Sequence, residues 1–419
     1  MIFLKKNKIN YKIIPDENDK RVKNKAIYDN MGDYLALQDG RADWQGRKRY
    51  GINFAKILYM LGAEELNNAE NNGTLEINKR TGEVFNTPKA REYFMKSQYI
   101  SECALRLGYK IYRGGKRKLS SAYFCRSRLC PICMWRLARR SAWETHKIIE
   151  KYMSQYSDMI PIMIGLTVRN PKMGELSNML DVLCHRKSGA WQLLQKWLAR
   201  RGIKDYIRTV EVTFNSTART WHPHIHCLAF VSKEYFSKEN KDYISQAKLA
   251  KYWQHACELD YKPVVDIRRV YDKSSPKERI NFDSDVKGIS LTSAIFETAK
   301  YCIKPLKIFS NLLDNYVEDV AEEKEEKINI KDVVRELDEA LSGRRLRALG
   351  GKLREIAKKL KFNDEENKKD LIHNGDDVGA NEVIYEEVYE YVFADKEYYL
   401  TSRVEADRER GDINFQDTG

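Results

Sequence analysis

One stretch, Trp221-His222-Pro223-His224-Ile225-His226-Cys227-Leu228-Ala229-Phe230-Val231, limits what this chain can fold into more than any other. Side chains alternate along an extended strand, so His224 and His226 share one face while Ile225, Cys227 and Ala229 turn to the other. The apolar positions are candidates for burial against a helix layer, and the two imidazoles are spaced to grip one divalent cation. The competing reading is an ordinary strand with two polar positions facing solvent. Residues further along the chain decide between them.

About 75 residues downstream, Phe296 to Lys304 reads as a helix without breakers, ended by Pro305. The i, i+4 spacing places Glu297 and Tyr301 one turn apart, and Lys304 follows on the same side. A carboxylate, a phenol and a cation on one face offer a base, a nucleophile and a charge clamp. Upstream, Cys125, Cys130 and Cys133 gather three of the eight cysteines into nine residues, bracketed by Arg126, Arg128, Arg136, Arg139 and Arg140. Such crowding points to a structural Zn2+, which takes four tetrahedral ligands. Cys103 is the expected fourth ligand and His146 the fallback. The alternative is a set of buried free thiols, the role left for Cys184, Cys227, Cys257 and Cys302. Trp135 to Tyr152 has helical periodicity and a basic first half, so Arg136, Arg139 and Arg140 are expected to lie against a DNA backbone.

Gly165-Leu166-Thr167-Val168, His224-Ile225-His226 and Glu297-x3-Tyr301-x2-Lys304 occur in the order and approximate spacing of the replication initiators of rolling-circle plasmids. Over residues 100 to 310 the chain resembles these HUH endonucleases, and Thr209-Val210-Glu211-Val212-Thr213 and the cysteine cluster extend the similarity. The resemblance implies that Tyr301 attacks a phosphodiester at a plasmid origin, keeps the 5′-phosphate and leaves a 3′-hydroxyl for a polymerase. It implies a catalytic Mg2+ or Mn2+ on His224 and His226. A carboxylate should complete that set, since these ions favour oxygen; Glu211, on the preceding segment Tyr206 to Phe214, is the candidate, with His222 as the alternative. That segment would pair with the histidine strand across the Asn215 to Thr220 turn. In the resemblance Glu297 replaces the second tyrosine of some relatives and activates water to end the reaction after one round. Lys300 and Lys304 would contact phosphate oxygens. Implied partners are single-stranded or hairpin origin DNA and a host helicase. Gly165 departs from the bulkier residue usual in relatives and is expected to loosen the strand or mark a bulge.

The charge distribution agrees with a DNA-handling protein. Residues 1–310 hold 56 Lys and Arg against 32 Asp and Glu, and residues 311–419 hold 18 against 29, within an overall +13. All the motifs lie in the basic part. Met1-Ile2-Phe3-Leu4 runs straight into lysines with no apolar core, no long apolar span follows, and the cysteine usage suits a reducing compartment, so a cytoplasmic protein without a membrane segment is expected. Four regions can be drawn: a basic segment 1–94, the cysteine module and its helix at 95–157, a nuclease core at 158–310, and a charged helical segment with an acidic, loosely ordered tail at 311–419. In the core, a strand at Ile160 to Val168, a helix at Leu176 to Arg201, the Glu211 and His226 strands, a helix near Gln246 to Cys257, a strand at Val264 to Val270 and the tyrosine helix suit an α+β fold. Its antiparallel sheet would carry the metal, and the last helix the nucleophile. The rival within the same chemistry is a relaxase or transposase; the rival outside it is a non-enzymatic zinc-containing DNA-binding regulator.

Overall fold

The computed structural model describes residues 44–77, 84–85, 87–113, 117–185, 187–237, 239–271, 289–299, 329–362 and 383–406. Helix α1 spans Trp44–Asn71, strands β1 (Glu76–Ile77) and β2 (Val84–Phe85) form a short pair, and helix α2 covers Pro88–Glu102. Strands β3 (Arg106–Tyr112) and β4 (Arg117–Ala122) lead into helix α3 (Pro131–Gln155). Then come β5 (Met159–Thr167), α4 (Leu176–Cys184), α5 (Ala190–Ala199), β6 (Tyr206–Asn215), β7 (Thr220–Ser232), α6 (Gln246–Ala256) and β8 (Val265–Tyr271). The two-residue β9 (Ile289–Ser290) opens directly into α7 (Leu291–Ala299). The C-terminal part supplies α8 (Ile330–Leu341), β10 (Arg347–Gly350), α9 (Gly351–Lys359), β11 (Val383–Val392) and β12 (Glu397–Glu405).

The protein is α+β, with two antiparallel sheets flanked by helices. The larger runs β10-β6-β7-β5-β8-β9, antiparallel except for the short parallel contact of β9 with β8; the smaller runs β12-β11-β3-β4. Local chemistry sets several boundaries. Thr87 caps α2 by accepting a hydrogen bond from the Ala90 amide at 3.1 Å, and Pro88 at the first helical position gives up a donor that would have no partner there. Ser245 caps α6 in the same way through the Lys248 amide. In the β6–β7 turn the Ala218 amide donates to Asn215 Oδ1 at 3.0 Å.

Strand β7 explains how the larger sheet is covered. From Trp221 to Cys227 its residues alternate between buried and half-exposed, and from Cys227 to Val231 every residue is buried. One face is therefore packed along its whole length, while the other is packed only where Leu228 and Phe230 lie. On the fully packed face Ile164, Val210, Ile225 and Cys227 join Leu176, Leu180, Trp191, Leu194, Leu249 and Trp253 from α4, α5 and α6. On the other, Met163, Ile207, Leu228 and Phe230 join Ile148, Tyr152, Ala294, Ile295, Leu353 and Ile356 from α3, α7 and α9. Pro223 is tolerated inside β7 because β5 ends at Thr167, opposite His224, so the edge that lacks a donor has no strand beside it there.

The fold departs from expectation at four places. The single helix from Leu176 to Arg201 is two helices, because the chain doubles back through His185 to Gly189 so tightly that a Cβ on Gly189 would lie 2.5 Å from the His185 nitrogen. The charged helical segment expected after residue 310 is broken at Gly343, whose φ of +66° suits glycine, and Arg347–Gly350 then pairs with β6. The far end is not loosely ordered over residues 383–406: β11 and β12 form a hairpin that adds to β3. Its acidic average conceals a period of two, with Glu387, Tyr389 and Tyr391 buried. The Glu387 carboxylate is satisfied by Arg403 at 2.8 Å and by the Tyr389 hydroxyl at 2.8 Å, and Tyr398 donates to the Ala104 carbonyl at 2.6 Å. Gly165 marks no bulge, since β5 pairs in unbroken register with both neighbours. Among the described residues no helix is long and apolar enough to cross a membrane.

Replacing Tyr389 by Ala removes a buried ring packed edge-on against Tyr109 and strips the Glu387 carboxylate of a donor. Urea unfolding should show a loss of about 3 kcal/mol. A loss below about 1 kcal/mol would mean that the hairpin is not part of the cooperative core.

Candidate functional site

The half of the sheet face left open by the helices carries Glu211, His224 and His226. Strand pairing puts them together: Glu211 stands opposite His224, and Thr209 opposite His226. One carboxylate oxygen, Oε2 of Glu211, lies 3.0 Å from Nε2 of His224 and 3.0 Å from Nε2 of His226. Glu211 is 1% exposed, whereas the imidazoles are 15% and 17% exposed, so the carboxylate forms the floor and the rings form the rim. Nδ1 of His224 lies 3.3 Å from the His222 carbonyl, which can only accept. That acceptor favours the tautomer with its proton on Nδ1, which would leave the Nε2 lone pair available to a bound cation. The His222 ring lies 4.8 Å from that of His224 and tilted to it, yet His222 is outside the gathered donor set. Burial, and then the neighbouring His224, lower the pKa of His222. Of the two candidates for a third donor, Glu211 and not His222 is gathered with the two histidines.

Gly165 faces His226 from β5 on the same side of the sheet, and Asp266 of β8 stands opposite Gly165. With no side chain at 165, the residue paired with His226 on β5 puts nothing over it. A Cβ there would meet only the Asp266 Cβ, at an ordinary 3.6 Å, so the open space rather than tight packing distinguishes this glycine.

Helix α7 lies on this same face. Ala294 and Ile295 pack with Leu228 and Phe230, and the carbonyl of Thr298 accepts a hydrogen bond from the Thr209 hydroxyl, the residue paired with His226. The C-terminal end of α7 therefore reaches the sheet beside the donor set. Glu297 belongs to α7; Lys300, Tyr301, Cys302 and Lys304 lie outside the described residues.

The second cluster joins Cys103 at the end of α2, Cys125 after β4, and Cys130 and Cys133 at the start of α3. Their sulfurs lie within 4.8 Å of one another, with Cys103 3.5 Å from Cys133 and 3.6 Å from Cys130, and no disulfide joins them. The Arg126 amide donates to Cys133 Sγ at 3.1 Å and the Cys125 amide to Cys103 Sγ at 3.5 Å, the kind of donor that favours thiolate. Hydrogen bonding among the four raises the pKa values of Cys103 and Cys133 well above the usual thiol value. For Cys130, burial pushes upward but the bonds from its three neighbours prevail and bring it well below. Four sulfurs gathered in this way fit a tetrahedral metal. His146 is exposed on α3 and is not part of the cluster.

The arginines after the cluster do not form a basic outer face. Arg136 is fully buried with its guanidinium 5.5 Å from the Trp135 ring, and Arg140 is buried with Nε 2.9 Å from Glu144. Arg139 is half-buried, 5.4 Å from the same Trp135 ring. A planar guanidinium stacks on indole, so charge alone does not identify the solvent side of a helix. Sequence reasoning also passes over Lys48 of α1, which is buried against the cysteine cluster. Burial pulls its pKa down to about 8, against the attraction of Cys103, Cys130, Cys125 and Glu102. No periodicity or motif marks it.

A family model described as "Replication protein" matches residues 116–399, a span that holds Glu211, both histidines, α7 and three of the four clustered cysteines. The chain is 34% identical over 354 residues to "Protein rep" of Bacillus amyloliquefaciens, covering 81% of this chain and 90% of that protein. It is 29% identical over 335 residues to "Protein rep" of Streptococcus pneumoniae serotype 2 (strain D39 / NCTC 7466), covering 80% and 84%. It is 30% identical over 257 residues to "Replication protein" of Staphylococcus aureus, covering 61% and 97%. No solved structure gives a significant match.

Mn2+ titration followed by electron paramagnetic resonance tests the donor set. His224→Ala and His226→Ala should each weaken Mn2+ binding by about tenfold or more, since each deletes one of three protein donors. Unchanged Mn2+ affinity in the double variant would exclude this face as the ion's site.

Proposed function

Because the chain belongs to the family of plasmid replication proteins, we propose that it starts rolling-circle replication by cutting one strand of the plasmid origin through tyrosine transesterification. The observation that carries this reading is the packing of α7 on the face that bears Glu211, His224 and His226, with the Thr298 carbonyl bonded to Thr209. Tyr301 follows Thr298 by three residues, a reach of about 5 Å in a helix and about 10 Å in extended chain. The reading requires the phenol to bridge a gap of that order to the donor set.

In the proposed step, the Tyr301 oxygen bonds to phosphorus as the bond to the 3′ oxygen breaks. The phenol proton is lost, the 3′ oxygen gains one, and the 5′-phosphate stays on the tyrosine. A phenol with a pKa of about 10 is ionised in only about one part per thousand at pH 7, so charge building on the phosphate must be offset. A divalent cation, Mg2+ or Mn2+, on Glu211, His224 and His226 would supply that offset, and two imidazoles beside one carboxylate are accepted mainly by Mn2+. Lys300 and Lys304 contact phosphate oxygens. Glu297, one turn before Tyr301, activates water at termination and releases the strand by hydrolysis. Cys103, Cys125, Cys130 and Cys133 hold a structural Zn2+. The partners are single-stranded or hairpin origin DNA and a host helicase, in the cytoplasm.

Incubating the protein with Mn2+ and single-stranded origin DNA should leave a nucleotide adduct on Tyr301, seen by mass spectrometry and absent in Tyr301→Phe. Cleavage with the adduct on another tyrosine, or with none, overturns the assignment. Glu297→Ala should still nick a supercoiled origin but accumulate covalent complex at termination; loss of the first nick would refute the role given to Glu297.

A further inference from the structure

Lys48 lies on α1, outside the span of the family match, and is fully buried. Its Nζ donates at 2.6 Å to the carbonyl of Ser101 and at 2.6 Å to the carbonyl of Cys103, whose own sulfur belongs to the four-cysteine cluster. The ring of Tyr391 lies 5.8 Å away. Two further cations are buried nearby: Arg47, beside it in sequence and 4.9 Å from the Trp135 ring, and Arg136, one helical turn beyond Cys133. Carbonyls and rings orient an ammonium but do not neutralise it, the Glu102 carboxylate attracts it less than the cysteines do, and a buried charge without a close counter-charge is strongly unfavourable. Four thiolates around a divalent metal carry a net charge of two minus, which supplies a counter-charge to the Lys48 ammonium directly beside it.

We propose that Lys48 is a positioning residue of the metal centre: its ammonium balances the charge of a tetrathiolate metal and fixes the Cys103 backbone, which makes α1 part of the module. This rests on reading the four cysteines as a metal site. It assigns a role to a residue of the N-terminal segment that carries none of the sequence motifs. Holding the Cys103 carbonyl also fixes the end of α2, so metal occupancy and the seating of α1 on α2 become one event.

The test uses the full chain loaded with Co2+, whose thiolate charge-transfer absorption separates this centre from the histidine and carboxylate set. Zn2+ competition with a chromophoric chelator then gives the affinity. The wild type should show the thiolate bands with one equivalent of Co2+. Lys48→Met, similar in shape but neutral, should bind Zn2+ about ten- to a hundredfold more weakly, and Lys48→Arg, which restores the charge, should recover most of the loss. Far-ultraviolet circular dichroism of both variants keeps misfolding apart from weakened binding. Thiolate bands with equal Zn2+ affinity in wild type and Lys48→Met would overturn the role of Lys48 alone. Absence of thiolate bands in the wild type would overturn the metal centre and this role together. Recovery of wild-type affinity by Lys48→Met, but not by Lys48→Arg, would show that packing rather than charge is the function of this side chain.

Discussion

The register of β6 against β7 decides whether a donor set exists at all. Glu211 faces the two imidazoles only because it pairs with His224, and a slip of one residue would put Val210 or Val212 there instead. The same slip would drive the Glu211 carboxylate into the face packed by α4, α5 and α6, at a cost of several kcal/mol for a buried charge. It would also turn Val210 and Val212 out of the core. Strand β6 is held from its other edge as well, where the Val210 amide donates to the Leu346 carbonyl at 2.8 Å and β10 pairs along it. The polar site is therefore positioned by apolar burial on the opposite side of the sheet.

Helix α3 links this sheet to the cysteine cluster. Its first turn carries Cys130 and Cys133, and its far half supplies Ile148, Ile149 and Tyr152 to the layer beneath Leu228 and Phe230. At 25 residues the helix is about 37 Å long, so one rigid element runs from the cysteine cluster to the layer beneath the sheet. Fixing its first turn through four sulfurs sets the direction of the rod whose other end helps seat α7. Glu336 of α8 adds a second tie, accepting from the Trp221 indole at 2.8 Å and from the Leu176 amide at 2.9 Å at the start of α4. The C-terminal part is thus woven into both sheets rather than appended to them.

The histidine hairpin was legible because a period of two combined with a continuous apolar run has few solutions, and the side chains of Glu211, His224 and His226 needed only the right register to meet. The cysteines were legible because thiols so close in sequence have little freedom to diverge, and Cys103 joins them through the end of α2. The hairpin of β11 and β12 was not, since its interleaved tyrosines and glutamates averaged to an acidic tail, while the alternation that buries Tyr389 and Tyr391 depends on β3, a partner strand from the first third of the chain. Arg136 and Arg140 misled for a related reason: an arginine run reads as a basic face until Trp44, Trp135 and Glu144 are seen to enclose it. Lys48 could be found only from three dimensions, because the groups that surround it come from α1, α2, α3 and β11.

Diffraction from crystals soaked in Mn2+, recorded at the manganese absorption edge, bears most directly on the claim that the sheet and the segment after α7 form one catalytic site. The expected result is an anomalous peak bonded to Nε2 of His224, Nε2 of His226 and Oε2 of Glu211, with the Tyr301 hydroxyl on the same side of the sheet and facing that ion. A peak at other ligands, or a Tyr301 hydroxyl directed to the opposite face, would contradict it.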